Sequence, residues 1–275
     1  TVAVVGAGPA GMEAARAAAF VGARVTLFEA ADRIGGQFLM AGMVPGKEDF
    51  LGTVAYFEHA LQALGVEVRL GRRATVDDLV AFDEVVLASG VLPRRVTLPG
   101  AGAPHVVDYA RAFAGIRDVG ARVAVVGAGG IAVDLAHLLI EEDHAGAREV
   151  TIMRRSGPIG AGMGITTRWA AVQAIRHAGV RALTDVDYLR VEPAGVRIRH
   201  DGAEQLIEAD TVIIAAGQES HDVLSAELSR RGIACTVIGG ARSADGLNAV
   251  AAFEQGLRAG DAAAGDRPNR ASKAG

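Results

Sequence analysis

Val2-Ala3-Val4-Val5-Gly6-Ala7-Gly8-Pro9-Ala10-Gly11 opens the chain, and Val2 to Gly8 recurs letter for letter as Val123-Ala124-Val125-Val126-Gly127-Ala128-Gly129. Each copy is an uninterrupted apolar run followed by a glycine turn. A run that does not alternate with polar residues marks a strand buried on both faces of a parallel sheet. A GxGxxG turn placed after such a strand and before a helix is the dinucleotide-binding fingerprint. The first glycine makes the turn, the second admits a pyrophosphate, and the third lets the helix close on the strand. Further landmarks repeat in the same order. Second strands are read at Val25-Thr26-Leu27-Phe28-Glu29 and Val150-Thr151-Ile152-Met153-Arg154, and closing strands at Val85 to Gly90 and Val212 to Gly217. Helices are expected at Gly11–Val21, Glu48–Leu64 and Thr167–Ala178, with an edge-type strand at Leu206–Glu208. The fold class is therefore α/β, with two Rossmann-like dinucleotide-binding domains.

Composition narrows the function. The chain has 275 residues, 28 Lys and Arg against 32 Asp and Glu, a net charge of −4, 50% apolar residues and 36 glycines. The slight acidity argues against nucleic acid, which demands clustered positive charge. No run approaches the roughly 20 apolar residues that span a bilayer. Cys235 is the only cysteine, which excludes an internal disulfide, a CxxC pair or a self-contained cluster site and fits a cytoplasmic protein. It reads as a strand residue. None of the seven histidines forms a metal-like pair; His137 and His144 come nearest and have no matching carboxylates. The acidic run Glu141-Glu142-Asp143 reads as a solvated helix end. Gly42-Met43-Val44-Pro45-Gly46-Lys47-Glu48 imitates a phosphate loop, but its spacing is one residue short and Glu48 stands where a Mg²⁺-binding hydroxyl belongs. The chain begins at Thr1, inside an apolar strand and without Met, so a segment of a longer protein is expected.

The strand ends separate the two sites. In the first, Glu29 can accept hydrogen bonds from ribose hydroxyls, and Arg33-Ile34-Gly35-Gly36-Gln37 then lets backbone pass close to a further part of the ligand, which favours FAD. In the second, the turn reads Gly127-Ala128-Gly129-Gly130-Ile131-Ala132 and the strand ends in Arg154-Arg155. Guanidinium groups bind a 2′-phosphate where a carboxylate would repel it, which favours NADP. No side chain offers acid–base or nucleophilic catalysis; the chemistry expected is hydride transfer between the two cofactors.

Longer motifs carry a resemblance. They are Arg33-Ile34-Gly35-Gly36-Gln37-Phe38, Val44-Pro45-Gly46-Lys47-Glu48-Asp49-Phe50, Leu87-Ala88-Ser89-Gly90-Val91-Leu92-Pro93-Arg94, Gly162-Met163-Gly164-Ile165-Thr166-Thr167 and Ala215-Ala216-Gly217-Gln218-Glu219. From residue 1 to about 260 the chain resembles the C-terminal half of the bacterial NADPH-dependent 2,4-dienoyl-CoA reductases, old-yellow-enzyme-like flavoproteins. The tail at 263–275, rich in Ala, Gly, Asp, Arg and Pro, has little to bury and is expected to be disordered. The resemblance implies an NADP domain inserted in an FAD domain, with boundaries at 1–92 and 233–262 for FAD and 93–232 for NADP. It implies FAD contacts from Gly6, Gly8, Pro9, Ala10, Gly11, Glu29, Ala30, Arg33, Gly35, Gly36, Gln37, Ala88, Ser89, Gly90, Gly239 and Gly240. It implies NADP contacts from Gly127, Gly129, Gly130, Ile131, Arg154, Arg155, Ala216 and Gly217. The implied partners are NADPH and an electron-accepting barrel, in which FMN and a four-iron cluster belong to the parent protein and not to this chain.

The chain departs from the family at Ala241-Arg242-Ser243, where an Asp usually follows the glycines, at Gly246-Leu247-Asn248-Ala249, and at Ile165 in place of Lys. Two alternatives stay open: a non-catalytic module that holds ADP, as in relatives such as trimethylamine dehydrogenase, and a stand-alone flavin reductase.

Overall fold

A computed structural model describes residues 1–141 and 148–265. The elements run β1 Val2–Val5, α1 Pro9–Phe20, β2 Val25–Phe28, α2 Gln37–Ala41, α3 Asp49–Ala63, β3 Glu67–Arg69, α4 Val76–Leu79, β4 Glu84–Leu87 and β5 Val91–Pro93. They continue as β6 Val106–Asp108, α5 Tyr109–Ala114, β7 Arg122–Val126, α6 Gly130–Glu141, β8 Glu149–Met153, α7 Ile165–His177, β9 Arg181–Leu183, β10 Asp187–Glu192, β11 Gly195–His200, β12 Ala203–Glu208 and β13 Thr211–Ile214. The chain closes with β14 Gln218–Ser220, α8 Ser225–Arg230, β15 Cys235–Val237, α9 Gly239–Arg242 and α10 Ala249–Ala264.

These elements form two compact units. The first comprises Thr1–Gly42, Asp49–Leu92 and Glu219–Gly275, the second Met43–Glu48 and Pro93–Gln218. The first holds an all-parallel sheet in the order β15-β4-β1-β2-β3, the second an all-parallel sheet in the order β6-β13-β7-β8-β9. In both, the strand that carries the glycine fingerprint is central. Its neighbours are the next strand in sequence and the strand that returns later, so the chain reverses direction across the sheet at that point and opens a crevice beyond the strand ends. A separate antiparallel sheet, β10-β11-β12, belongs to the second unit. Strands β5 and β14 form a two-stranded sheet of their own.

The repeated VAVV runs form strands because both of their faces are covered. Val2, Ala3, Val4, Val123, Ala124 and Val125 are each at most 1% exposed. Helix α10 covers α1 along a line of small residues. A Cβ on Gly256 would lie 2.4 Å from the Ala10 carbonyl oxygen, and one on Gly260 would lie 2.4 Å from that of Ala14. Only glycine lets two helix backbones approach this closely. Phe253 completes that side of the core, its ring centroid 5.7 Å from that of Phe38 and 5.6 Å from that of Phe57.

Three boundaries differ from the sequence reading. Residues 219–232 group with the first unit, because Leu228 of α8 is buried among Ala3, Val5, Phe28 and Leu79. Met43–Glu48 groups with the second, where Lys47 Nζ donates to Asp134 Oδ1 at 2.6 Å. Ala263 and Ala264, expected in a disordered tail, close α10, whose Asn248 cap accepts the Ala251 N–H at 2.8 Å. The rest of that tail from residue 266, together with Glu142, Asp143 and His144, lies outside the described residues. The helices expected at 11–21, 48–64 and 167–178 are α1, α3 and α7, and the edge strand at 206–208 is the end of β12. Cys235 lies on β15, and partial burial pushes its thiol up. No described helix is long and apolar enough to cross a membrane.

Candidate functional site

In the first unit the predicted residues converge where β1 gives way to α1. Gly6 has φ +97°, in the left-handed region, and a Cβ there would sit 2.4 Å from the Ala88 carbonyl oxygen. Its N–H donates to Phe28 O at 2.8 Å. Gly11 lies in the first turn of α1, where a Cβ would sit 1.8 Å from Gly6 O. Pro9 and Ala10 open the same turn. Pro is suited to this position because the first helical N–H has no partner within the helix. Gly8 caps α1 with no side-chain hydrogen bond, and the first turn holds no acid. The free N–H groups and the positive end of the helix dipole are therefore available to an anion.

Glu29, just past β2, turns both carboxylate oxygens onto backbone. Oε2 accepts from Ala7 N–H at 2.7 Å and Oε1 from Ala31 N–H at 2.8 Å. The remaining lone pairs can take ribose hydroxyls. Gly35 N–H donates to Ala7 O at 2.8 Å, which lays the segment that starts α2 against the glycine turn, with Gln37 as its first helical residue. Gly36 stands against Gly8, and Gly239 against Ala10. Gly239 N–H also donates to Gln255 Oε1 at 2.9 Å, and Gly240 lies over Gly90. Ser89 donates its hydroxyl to His221 O. Ala30 and Arg33 are exposed beside this cluster rather than packed within it. Arg242 ends α9, exposed.

The second unit repeats the geometry. Gly127 has φ +119°, a Cβ on it would lie 2.1 Å from Ala215 O, and its N–H donates to Met153 O at 3.0 Å. Gly129 ends the turn, Gly130 and Ile131 begin α6, and Ala216 and Gly217 follow β13. Arg154 and Arg155 follow β8. Arg154 N–H donates to Leu183 O at 2.9 Å, its carbonyl accepts from Val186 N–H at 3.1 Å, and its Nε donates to Ser156 O. The Arg155 guanidinium lies 5.6 Å from the centroid of the Tyr188 ring. Among the described residues neither arginine joins an ion pair, so their charge is uncompensated.

Two features escaped the sequence reading. Gly160 N–H donates to Ala128 O at 2.7 Å, the counterpart of Gly35 on Ala7. The signal was present, since a buried Ile precedes each glycine, Ile34 in one half and Ile159 in the other. The other is Tyr188, contributed by β10. The phosphate-loop imitation at Gly42–Glu48 contains a turn in which Gly46 N–H bonds Glu48 Oε1 at 3.0 Å, and its lysine is held by Asp134.

Each unit contains a parallel sheet whose central strand ends in a glycine turn aimed at a helix N-terminus, which defines the class of two-dinucleotide-fold oxidoreductases. The chain belongs to the pyridine nucleotide-disulphide oxidoreductase family, whose model matches residues 1–250. Curated relatives include an NADH oxidase of Thermoanaerobacter brockii, 34% identical over 87% of this chain and 38% of its own length. A metal reductase of Desulforamulus reducens is 29% identical over 86% of this chain and 40% of its own. Among solved structures, a 2-naphthoyl-CoA reductase complex superposes with a TM-score of 0.89 at 28% identity, covering 95% of this chain and 39% of that one. The chain thus spans about two fifths of the length of these relatives. The resemblance read from the motifs is borne out. Because Cys235 is the only cysteine in the 275 residues, they contain no dithiol pair.

Proposed function

We propose that this chain is an electron-input module that takes hydride from NADPH onto FAD and passes electrons to an FMN-bearing barrel domain or chain. The observation that carries the reading is the pair of equivalent glycine turns with opposite charge at the strand end, Glu29 in one and Arg154-Arg155 in the other. The residues fit two dinucleotides. The α1 N-terminus lacks a protein cap, and the direction a Cβ on Gly8 would take is open.

Bound FAD and nicotinamide would supply the redox chemistry, a hydride transfer for which the chain needs no acid or base of its own. In this reading Gly6, Gly8 and Gly11 keep the backbone low enough for a diphosphate to meet the N–H groups of α1. Glu29 orients the adenine ribose, and the segment from Gly35 to Gln37 flanks the diphosphate. Gly127, Gly129 and Gly130 do the same for the second ligand, and Arg154 and Arg155 select its 2′-phosphate. Ala88–Gly90 and Ala216–Gly217 line the turns from the returning strands.

The test is the visible spectrum of the purified chain, followed by anaerobic titration. A flavin spectrum that bleaches with NADPH, and more slowly with NADH, supports the reading. A colourless protein that binds ADP and is not restored by added FAD overturns it in favour of a structural nucleotide site.

A further inference from the structure

We infer that Tyr188 is a positioning residue for nucleotide specificity: its hydroxyl pins the end of β8 while its ring carries Arg155, so that the arginine pair is presented ready-set to a ribose 2′-phosphate. The inference rests on the reading of the second unit as a phosphorylated-dinucleotide site, and it adds a residue that does not itself touch the ligand.

The geometry converges on one carbonyl. Met153 O, the last acceptor of β8, receives the Tyr188 hydroxyl at 2.6 Å and the Gly127 N–H at 3.0 Å. The tyrosine therefore ties the glycine turn and the arginine-bearing strand end to a third element. That element is suited to the task. The pairing of β10 with β11 breaks register between Tyr188 and Arg190, and such an irregularity re-aims a side chain out of the regular sheet alternation. The turn before it passes through Asp185, whose φ of +58° is uncommon for a residue with a Cβ. That turn clasps the Arg154 backbone from both sides, through Leu183 O and Val186 N–H.

An arginine on a flexible stem loses rotamer freedom when it binds an anion. One already stacked on an aromatic face has lost part of it beforehand, and its planar fork is pre-organised for phosphate. Burial pushes the Tyr188 phenol up to about 12 even with Arg154 and Arg155 nearby, so the hydroxyl stays a donor through neutral and mildly alkaline pH. A buried tyrosine needs some acceptor for its hydroxyl; here the acceptor is the carbonyl that the glycine turn also uses, and Arg155 lies over the ring.

The experiment compares Kd for adenosine 2′,5′-bisphosphate and for 5′-AMP, probes that differ only in the 2′-phosphate, by calorimetry on the full chain. The wild type should prefer the bisphosphate by about 100-fold, as expected for two charge-assisted contacts. Tyr188→Leu should reduce that ratio about tenfold and leave the 5′-AMP Kd nearly unchanged. Tyr188→Phe, which keeps the ring, should reduce it about threefold. Arg155→Lys, which keeps the charge without the planar fork, should also reduce it about threefold, and Tyr188→Phe decides the matter even if the leucine variant does not fold. A wild type without preference would overturn the phosphorylated-dinucleotide reading and this inference with it. A strong wild-type preference left intact by both tyrosine variants would overturn the inference alone. So would equal weakening of both probes, which is the mark of a merely structural tyrosine.

Discussion

After β1 the chain turns through Gly6 and meets Glu29; after β7 it turns through Gly127 and meets Arg154. Around these turns the backbone hydrogen bonds match one for one: turn to second strand, returning strand to first, and loop to turn, with Gly35 on Ala7 and Gly160 on Ala128. The scaffold is thus the same twice, and the difference lies in side chains at its rim. A carboxylate held by two backbone N–H groups suits uncharged ribose hydroxyls. A pair of uncompensated guanidinium groups suits a phosphate. The units differ also in how tightly helix and turn meet. Gly11 leaves no room for a Cβ, whereas its counterpart Ala132 carries one and is fully buried. The first unit seats its helix harder on the turn and then clamps it from behind with the glycines of α10.

The severest way to break the comparison is to exchange those positions. Gly11→Ala forces a Cβ to 1.8 Å from Gly6 O and should destabilise the first unit by about 3 kcal/mol or more, with flavin content falling below about a tenth of wild type. Ala132→Gly should cost only about 1 kcal/mol. Flavin absorbance and calorimetric melting read both, and a fully flavinylated Gly11→Ala protein would refute the asymmetry.

Exchanging the rim is the next largest effect. Arg154→Glu with Arg155→Ala should shift the NADPH to NADH ratio of kcat/KM by about 100-fold toward NADH, at two charge-assisted contacts of about 1.5 kcal/mol each. An unchanged ratio in steady-state assays would remove the basis for assigning the second site. Gly256→Ala probes the clamp on α1. With a Cβ 2.4 Å from Ala10 O, it should lower stability by about 1–3 kcal/mol in chemical denaturation, and wild-type stability would show that the helices separate freely.

The smallest effect concerns α4 of the first unit, which has a full capping box. There the Thr75 hydroxyl and backbone and Arg72 hold the Asp78 carboxyl down at about 2, from 3.8. A depressed carboxylate stabilises above its unfolded value and loses that contribution as pH falls through its folded one, so α4 should fray between about pH 4 and pH 2. Hydrogen exchange at the Asp78 amide would follow it, and protection that persists below pH 2 would exclude the cap as its source.

The parts legible in sequence were those in which local letters determine local physics. Buried β-branched runs gave the central strands, and glycines that no other residue could replace marked both turns. Glu29 and Arg154 were visible because a strand end has a fixed place relative to its turn. Tyr188 was not, since it arrives from a later strand whose aim depends on a register break that the neighbouring letters do not announce. Helix α10 was missed because Gly256 and Gly260 look like breakers in isolation. Their value appears only when another helix lies against them. The return to the first unit was placed too late for a similar reason, as α8 is short and its membership is decided by one buried leucine.

The placement of β15 and α10 after the second unit has a consequence for synthesis. By residue 218 the ribosome has produced every residue of the second unit, while the first sheet still lacks an edge strand and α1 still lacks its cover. Domains fold as units once their sequence is complete. The second unit is therefore able to reach its native state before the first, which waits for β15 and α10 to be translated.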